Sequence, residues 1–557
     1  MTESDLPVVQ LTPGRWGDPA QTVEVPEAAL AALKHLGVRR RGVVEGKEEP
    51  GAPDASAGAA EPGAARAVKP GSAREVKPGS AREVEPGSAR AVERLAELLG
   101  SEWVSVDGDV RWAHTRGYST PDLLRFRAGD TTGMPAAVVF PGSHEDVLAV
   151  LAACSELGVA VVPYAGGTSV VGGLAPDGEF VAVDLRRLDQ VGELDEISRT
   201  VRLGAGLRGT AAEAALKPMG YTLGHFPQSY EGASIGGYAA TRSSGQSSAG
   251  YGRFDQMVVG MTVATPRGTV ELGRAPMSAA GPDLRQLWLG SEGALGIITS
   301  VVVRIRPRPA ERFFEGWRFG SFAQGLDAIR RLAQDGPLPT VLRLSDEAET
   351  AVNLADPEVL GGASGVQAIV GFEGTATAVR RAAVAEVLAD AGGEPLGEEA
   401  GETWRKGRYR APYLRDPLLD EGALVETLET AGFWSKLPEL KAAVTDALVK
   451  SLGDQGTPPL VLCHVSHVYE TGASLYFTVV CAQAEDPVAQ WRQAKTAAST
   501  AIGAAGGTIT HHHGVGTDHR DAYAAEIGPL AIESLQAVKR VVDPENILSP
   551  GILLPEA

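Results

Sequence analysis

The stretch PYAGGTSVVGG, residues 163–173, decides the fold class. It follows directly on the short apolar segment Val159–Pro163, whose length and β-branched content predict a strand. Gly166 and Gly167 lack a Cβ, so their backbone N–H groups can approach an anion closely. The loop is neither a GxGxxG turn nor a P-loop, because no GK[ST] follows it. Taken alone, it predicts a pyrophosphate site and a ligand-free Gly-rich turn about equally well.

Two later segments share this richness in small residues. PQSYEGASIGGYAATRSSGQSSAGYGRFD, residues 227–255, has few apolar anchors, which is typical of a loop that is disordered or wraps a ligand. LGSEGALGIIT, residues 289–299, is a Gly-spaced turn that runs into a strand. Each segment alone predicts a surface loop or a tight strand entry. The order and spacing of all three indicate a cofactor site.

The chain around these loops predicts two folded units. A length of 557 residues exceeds what one hydrophobic core usually supports. Residues 93–310 alternate short β-branched strands with helices such as His144–Leu157, which indicates an α+β unit. Residues 311–557 mix strands with long helices and end in a predicted helix, Pro529–Val542.

The first 92 residues differ in character from the rest. Residues 1–45 form a leader with an Ala-rich helix around Glu27–Leu36. Residues 46–92 contain VKPGSARE, repeated with an eight-residue period between Val68 and Ala91. Pro-Gly in each unit opposes helix propagation, and little in the unit can be buried. We therefore predict a low-complexity, disordered linker over 46–92.

Composition excludes several classes of function. The formal net charge of −19 disfavours nucleic-acid binding. The three cysteines cannot form a disulfide framework or a thiolate zinc site, which favours a reducing compartment. We find no signal peptide, no transmembrane segment and no peroxisomal address in the sequence. These features predict a cytoplasmic protein.

The three Gly-rich segments, in this order, resemble the FAD-binding half of the vanillyl-alcohol-oxidase flavoprotein family. The resemblance implies a two-domain α+β fold of the PCMH type, with an FAD-binding domain over 93–310 and a substrate-binding cap domain over 311–557 whose last segment returns to the first domain. The first loop contains no His, so we expect non-covalent FAD. By resemblance, the FAD contacts are Pro163, Tyr164, Ala165, Gly166, Gly167, Thr168, Ser169, Pro227, Gln228, Ser229, Tyr230, Glu231, Gly232, Ala233, Thr241, Arg242, Ser243, Ser244, Glu292, Gly293, Ala294, Leu295, Gly296, Ile297 and Ile298.

Histidines concentrate in two C-terminal segments. CHVSHVYETGASLYFTVV, residues 463–480, reads as strands, and GGTITHHHGVG, residues 506–516, presents His511, His512 and His513 in a Gly-flanked turn. Neutral imidazoles can take or give a proton near pH 7. A His run is also typical of a metal site, and related flavin-linked 2-hydroxy-acid dehydrogenases carry one in the matching strand and turn. His512 stands where their EHG pattern has Glu, so we predict no metal.

Together with HTRGYSTPDLL, residues 114–124, these segments resemble the alkylglycerone-phosphate synthases over roughly residues 100–555. The resemblance implies a catalytic tyrosine at Tyr476 and an essential histidine run at His511–His513. It also implies that Arg415, in APYLRD, holds a substrate phosphate and that Arg343, in VLRLSD, acts near the flavin. Without the resemblance, both arginines would be interpreted as surface ion pairs and Tyr476 as a packing residue.

The resemblance implies an ether-lipid synthase that exchanges the acyl group of acyl-dihydroxyacetone phosphate for a long-chain alcohol. It also implies peripheral contact with membranes, where both long-chain substrates partition. An FAD-linked 2-hydroxy-acid or alcohol oxidoreductase on the same fold is the alternative, because fold does not determine function. A flavin-retaining protein without catalysis is a third, disfavoured by Arg415, Tyr476 and the His run. The sequence leaves the oligomeric state open between monomer and homodimer.

Overall fold

The computed structural model describes residues 11–17, 23–25, 30, 33–39, 86–353 and 365–555. Most of the predicted leader and residues 46–85 of the predicted linker lie outside these ranges. None of the helices in the described ranges is long and apolar enough to cross a bilayer.

The N-terminal part of the described chain contains two main sheets. The first has the order β1-β2-β4-β3, with β2, β4 and β3 parallel, and the second is antiparallel with the order β5-β6-β10-β8-β9. β7 and β11 form a separate two-stranded ribbon. The strands are β1 Val104–Ser105, β2 Ala137–Val139, β3 Ala160–Tyr164, β4 Phe180–Asp184, β5 Val191–Asp195, β6 Thr200–Gly204, β7 Tyr221–Thr222, β8 Val258–Thr265, β9 Gly268–Leu272, β10 Ile297–Arg304 and β11 Arg306–Pro307.

Short helices connect these strands. The helix predicted over His144–Leu157 is confirmed with the same bounds, and Ser143 caps it by accepting the N–H of Asp146. The described helices of this part are Pro86–Leu99, Gly108–Ala113, Thr120–Arg127, His144–Leu157, Gly209–Leu216, Ile235–Ala240, Ser248–Tyr251, Phe254–Met257 and Arg285–Trp288.

The C-terminal part is built on one antiparallel sheet of seven strands, in the order β15-β12-β14-β13-β17-β18-β16. Its strands are β12 Glu311–Phe319, β13 Val341–Ser345, β14 Val366–Gly374, β15 Glu394–Gly397, β16 Ala423–Phe433, β17 Leu460–Val468 and β18 Gly472–Ala482. The described helices here are Phe322–Asp335, Glu347–Asn353, Thr377–Asp390, Glu398–Gly407, Ala411–Asp420, Leu437–Asp454, Pro487–Ala504, Arg520–Ile527 and Pro529–Val542.

One face of the seven-stranded sheet is apolar and packs against helices. Cys463 and Val465 of β17 and Leu475 and Phe477 of β18 belong to a buried core shared with four of the long helices. Neighbouring side chains alternate between the two faces of a strand, so the residues between these positions point to the opposite face. The opposite face therefore receives the polar side chains of β17 and β18.

The C-terminal segment returns to the first sheet. Leu548 forms a parallel bridge with Val161 of β3. The N–H of Val161 donates to the carbonyl of Ile547 at 2.7 Å, and the N–H of Ser549 donates to the carbonyl of Val161 at 2.9 Å. The strand that leads into the first Gly-rich loop is thus paired with the end of the described chain.

Two local structures differ from the sequence-based expectation. A helix begins at Pro86, inside the third copy of the repeat, so residues 86–92 of the predicted disordered linker are helical. Proline is tolerated in a first helical turn, where its missing N–H would have had no intrahelical partner. The long segment 227–255 carries three short helices, the first of which is capped by Ser234 through the N–H of Gly237.

Candidate active site

A cavity of about 850 Å³ lies where the Gly-rich loops face the polar side of the seven-stranded sheet. Most of the residues predicted from the sequence line it. They are Pro163, Tyr164, Ala165, Gly166, Gly167, Thr168, Ser169, Pro227, Gln228, Ser229, Ala233, Thr241, Ser243, Ser244, Glu292, Gly293, Gly296, Ile297, Ile298, Arg343, Arg415, Tyr476, His512 and His513.

The first two loops approach each other backbone to backbone. A Cβ on Gly166 would lie 2.7 Å from the carbonyl oxygen of Gly232. Gly167 has a φ of +69°, and a Cβ there would lie 2.2 Å from the hydroxyl oxygen of Tyr164. Only glycine satisfies both positions without displacement. This backbone cradle, in which Gly166 and Gly167 line the cavity, fits a pyrophosphate group.

Seven of the predicted residues are absent from the cavity lining. Tyr230 is fully buried and stacks on Tyr409, with ring centroids 5.7 Å apart. The Arg242 guanidinium turns away to bind Asp255 at 3.1 Å and the carbonyl of Leu289 at 2.9 Å. The carboxylate of Glu231 accepts a hydrogen bond from the Tyr413 hydroxyl, and the carbonyl of Gly232 accepts one from Arg208. Ala294 and Leu295 are core residues, and His511 contacts His512 through their Nδ1 atoms.

Four strands place one row of polar residues across the sheet. Ser345 of β13 is opposite His464 of β17, His464 is opposite Tyr476 of β18, and Tyr476 is opposite Glu429 of β16. Residues directly opposite in neighbouring strands share a face and lie within contact distance. The row therefore presents an imidazole, a phenol and a carboxylate side by side.

His464 is held between a carboxylate and a guanidinium. Its Nδ1 lies 2.9 Å from Glu349 Oε1 and 3.0 Å from Arg343 Nη2, and Arg343 Nη2 also donates to Glu349 Oε1 at 2.9 Å. Burial would raise the pKa of Glu349, but His464 and Arg343 outweigh it and lower the pKa to about 2. Glu349 therefore stays anionic and fixes both partners. Arg343 therefore lines the cavity and also holds the side chains of Glu349 and His464 in place.

Tyr476 lies at the centre of the aromatic groups of the site. Its ring stacks on His464 with centroids 5.0 Å apart and on His512 at 6.1 Å, and it meets His513 edge-on at 5.6 Å. Burial raises the pKa of Tyr476 to about 12, against the effect of its hydrogen bond with Thr427. The phenol is therefore protonated at neutral pH and available as a proton donor.

The His run forms a turn around Glu429. Glu429 accepts the backbone N–H groups of His511, His512 and His513 at 2.7, 3.1 and 3.0 Å. Burial lowers the pKa of His513 to about 3, and that of His512 in the same direction, although Glu429 opposes both shifts. Both imidazoles are neutral at pH 7, which is the form that accepts a proton.

A second set of hydrogen bonds extends from His512 to His511 and includes His467, which also lines the cavity. His511 Nδ1 lies 2.9 Å from His512 Nδ1, and His511 Nε2 lies 2.6 Å from the Tyr469 hydroxyl. His467 Nδ1 lies 2.6 Å from the Ser248 hydroxyl. His467, His511 and His512 each place one ring nitrogen within 4.8 Å of the others, close enough to hold a metal ion. The prediction of no metal, made because the EHG pattern is missing, stays a prediction.

Two arginines line the cavity on and beside the helix Ala411–Asp420. Arg415 Nη1 donates to the carbonyl of Tyr118 at 2.8 Å, and its Nε is buried without a hydrogen-bond partner in the described chain. Arg408 lies over three aromatic rings, those of Phe226, Trp404 and Tyr409, at 5.1 to 5.7 Å. Arg415 thus has donor capacity available for an anion in the cavity.

Glu292 connects the third Gly-rich loop to the residues that follow the His run. Its carboxylate accepts the backbone N–H groups of Val515 at 2.8 Å and Gly516 at 3.0 Å. Burial raises the pKa of Glu292 to about 7, although these hydrogen bonds oppose the shift. The side chain lines the cavity, and its contacts connect two segments that were predicted separately.

Sequence reasoning missed several residues of this site. Trp16, from the leader, lines the cavity and packs edge-on against Tyr118 with centroids 6.0 Å apart. Glu349, Glu429 and His467 were also absent from the predicted set. The signal for Glu429 was its place in a strand with many apolar residues, where a second acidic residue, Glu426, also occurs and where a buried carboxylate requires partners. Trp16 gave no comparable signal.

Two family models match the chain. "FAD binding domain" matches residues 135–273, and "FAD linked oxidases, C-terminal domain" matches residues 308–553. Both ranges contain the loops and strands that line the cavity. The fold and site thus define a two-domain α+β flavoprotein of the vanillyl-alcohol-oxidase type, with FAD as its cofactor. The first Gly-rich loop, residues 163–173, contains neither His nor Cys to which a flavin could be linked, in agreement with non-covalent FAD.

Comparison with individual relatives identifies the family within this class of flavoproteins. The alkyldihydroxyacetonephosphate synthase of Dictyostelium discoideum is 33% identical over 473 residues, which cover 80% of this chain and 77% of the relative. A solved alkyldihydroxyacetonephosphate synthase structure superposes with a TM-score of 0.71 at 30% identity, covering 86% of this chain and 87% of that one. The mitochondrial D-lactate dehydrogenase [cytochrome] of Arabidopsis thaliana is 30% identical over 76% of this chain and 74% of its own. The chain belongs to the alkyldihydroxyacetonephosphate synthase family.

Replacing Gly167 tests the cofactor cradle. We expect Gly167→Ala to lower FAD affinity at least about tenfold, because the new Cβ displaces Tyr164 and the loop. FAD content is measured from flavin absorbance per protein after gel filtration. Gly178→Ala is the control, since Gly178 also has a positive φ (+83°) but nothing within 4 Å of the added Cβ. Equal FAD content in the two variants would contradict the assignment of the cradle.

Proposed function

We propose that the protein is an FAD-dependent ether-lipid synthase. It exchanges the acyl group of acyl-dihydroxyacetone phosphate for a fatty alcohol and gives alkyl-dihydroxyacetone phosphate and a fatty acid. The observation that carries the proposal is that Tyr476, His512, His513 and Arg415 line the cavity that the FAD loops also line. Family membership supports the same substrates.

The substrate phosphate is anchored by Arg415. Arg415 is half-buried and lines the cavity, so its guanidinium can donate charge-assisted hydrogen bonds to phosphate oxygens there. Arg415 Nη1 donates a hydrogen bond to the Tyr118 carbonyl, so the position of the guanidinium is set before substrate binds. Binding the phosphate here directs the C1 carbon of the substrate into the cavity.

Proton movement is assigned to the His turn and Tyr476. His512 and His513 are neutral at pH 7, the form that can accept the proton from C1, and the Tyr476 hydroxyl can donate a hydrogen bond to the departing carboxylate. In the net exchange, the C1–O bond to the acyl group breaks, a C1–O bond to the alcohol forms, and the alcohol proton leaves with the fatty acid. When bound, FAD supplies the electronic chemistry of the exchange, and no external electron acceptor is consumed.

An assay without an electron acceptor tests this proposal. Purified FAD-replete protein is incubated anaerobically with acyl-dihydroxyacetone phosphate and a labelled fatty alcohol, and labelled ether and free fatty acid are measured. We expect equal amounts of both products over many turnovers. A dehydrogenase stops after at most one turnover under these conditions. Absence of ether with every chain length tried would reject the synthase.

An FAD-linked 2-hydroxy-acid or alcohol dehydrogenase is the second candidate. The convergence of His467, His511 and His512 favours it, because three imidazoles could hold a metal ion that binds a hydroxy acid. Bleaching of the flavin by a 2-hydroxy acid, with recovery on adding a dye, would support this candidate. Loss of that bleaching after a chelator is added would show that this reaction requires a metal ion.

Replacement of Arg415 separates phosphate binding from the rest of the reaction. We expect Arg415→Gln to raise the KM for acyl-dihydroxyacetone phosphate about 10- to 100-fold, the loss of one or two charge-assisted hydrogen bonds. FAD content and the KM for the alcohol stay unchanged. Arg410→Gln is the control, because Arg410 is exposed next to the same helix. An effect of Arg415→Gln on the alcohol alone would contradict the role.

Contact with membranes is part of the proposal, because both long-chain substrates partition into bilayers. The protein is expected to associate peripherally, as a monomer or homodimer. Flotation with neutral liposomes that contain the fatty alcohol measures this, and protein that stays in the dense fraction would argue against it.

A further inference from the structure

Glu429 is a buried acidic residue that no sequence pattern assigned to the site. It lies in β16, is 3% exposed, and shares its strand with apolar residues of the main core. A buried carboxylate is costly unless its oxygens are fully hydrogen-bonded. Its partners therefore identify what it holds in place.

The partners of Glu429 are three consecutive backbone N–H groups and one hydroxyl. Oε2 accepts from the N–H of His511, and Oε1 accepts from the N–H groups of His512 and His513. The Thr510 hydroxyl adds a bond of 2.6 Å to Oε1. Successive N–H groups that point to one centre form an anion site, here filled by a side chain of the same chain. The turn geometry therefore depends on a carboxylate at its centre.

The position of Glu429 in the sheet connects this turn to Tyr476. The two residues are directly opposite in β16 and β18. The His512 ring stacks on Tyr476 at 6.1 Å, and the His513 ring meets it at 5.6 Å. One carboxylate thus determines where two imidazoles stand relative to the phenol.

We propose that Glu429 is a positioning residue of the exchange reaction, which fixes the backbone of His511–His513 and so presents His512 and His513 to the cavity beside Tyr476. This inference rests on the proposed synthase function. Glu429 acts through the turn, and it is not among the residues that line the cavity.

The variant Glu429→Gln tests the role with almost no change in volume. Its amide nitrogen is a donor and cannot accept an N–H, so at least one of the three backbone bonds is lost. We expect kcat for ether formation to fall about 100-fold, since small displacements of reacting groups cost that much. KM for acyl-dihydroxyacetone phosphate and FAD content stay unchanged. Hydrogen–deuterium exchange in a peptide covering residues 508–516 rises, without substrate present.

Two control variants match the change. Glu213→Gln alters a buried carboxylate that accepts the backbone N–H groups of Leu223 and Gly224, both at 2.9 Å, away from the cavity lining. It is expected to keep kcat within about twofold. Thr510→Val removes only the hydroxyl bond and leaves the three backbone donors in place. It is expected to lower kcat less than tenfold.

The two readouts keep this inference separate from the proposed function. If the wild-type protein forms no ether, the synthase proposal fails, and positioning is still read from hydrogen exchange. If Glu429→Gln leaves both exchange and kcat unchanged, or raises KM without lowering kcat, the positioning role is overturned. If Glu429→Gln does not fold, Glu429→Asp carries the test, because it keeps the charge and shortens the side chain. A kcat of Glu429→Asp equal to that of wild type would also overturn the role.

Discussion

The alternation of side chains along the seven-stranded sheet is the constraint on which the site depends. Over Cys463–Val465 of β17 and Leu475–Val479 of β18, every second residue enters the apolar core under the long helices, and His464, Tyr476 and Thr478 between them line the cavity. A shift of one residue in register would bury Tyr476 and expose Phe477. The core on one face therefore fixes the register, and the register brings His464, Tyr476 and Glu429 into one row.

The cavity also depends on keeping imidazoles neutral. Burial lowers the pKa of every histidine in the His run, so these rings hold no charge that would need compensation. Glu429 carries the negative charge of the turn, and the backbone N–H dipoles of His511–His513 compensate it. The same electrostatic arrangement keeps the imidazoles neutral at pH 7 and stabilises the turn in its buried position.

Much of this was predictable from local sequence, and some was not. Strand–loop patterns predicted β3, β10 and the helix His144–Leu157, because burial and glycine spacing are local signals. Residues joined only by the tertiary fold gave weaker signals. Glu429 is about 80 residues from the turn that it holds, and Trp16 reaches the cavity from the leader. Arg242 had the expected loop position, but Asp255 attracted its guanidinium away from the cavity.

The pairing of β3 with the segment Ile547–Ser549 has a consequence for cofactor retention. The strand that supports the first Gly-rich loop gains its outer partner only from the C-terminal part of the described chain. The last segment also reaches the third loop, because a Cβ on Gly293 would lie 2.9 Å from the Ser549 hydroxyl oxygen. The loop that holds the cofactor is thus completed by a segment far away in the sequence, which couples cofactor retention to the folding of the C-terminal part of the chain.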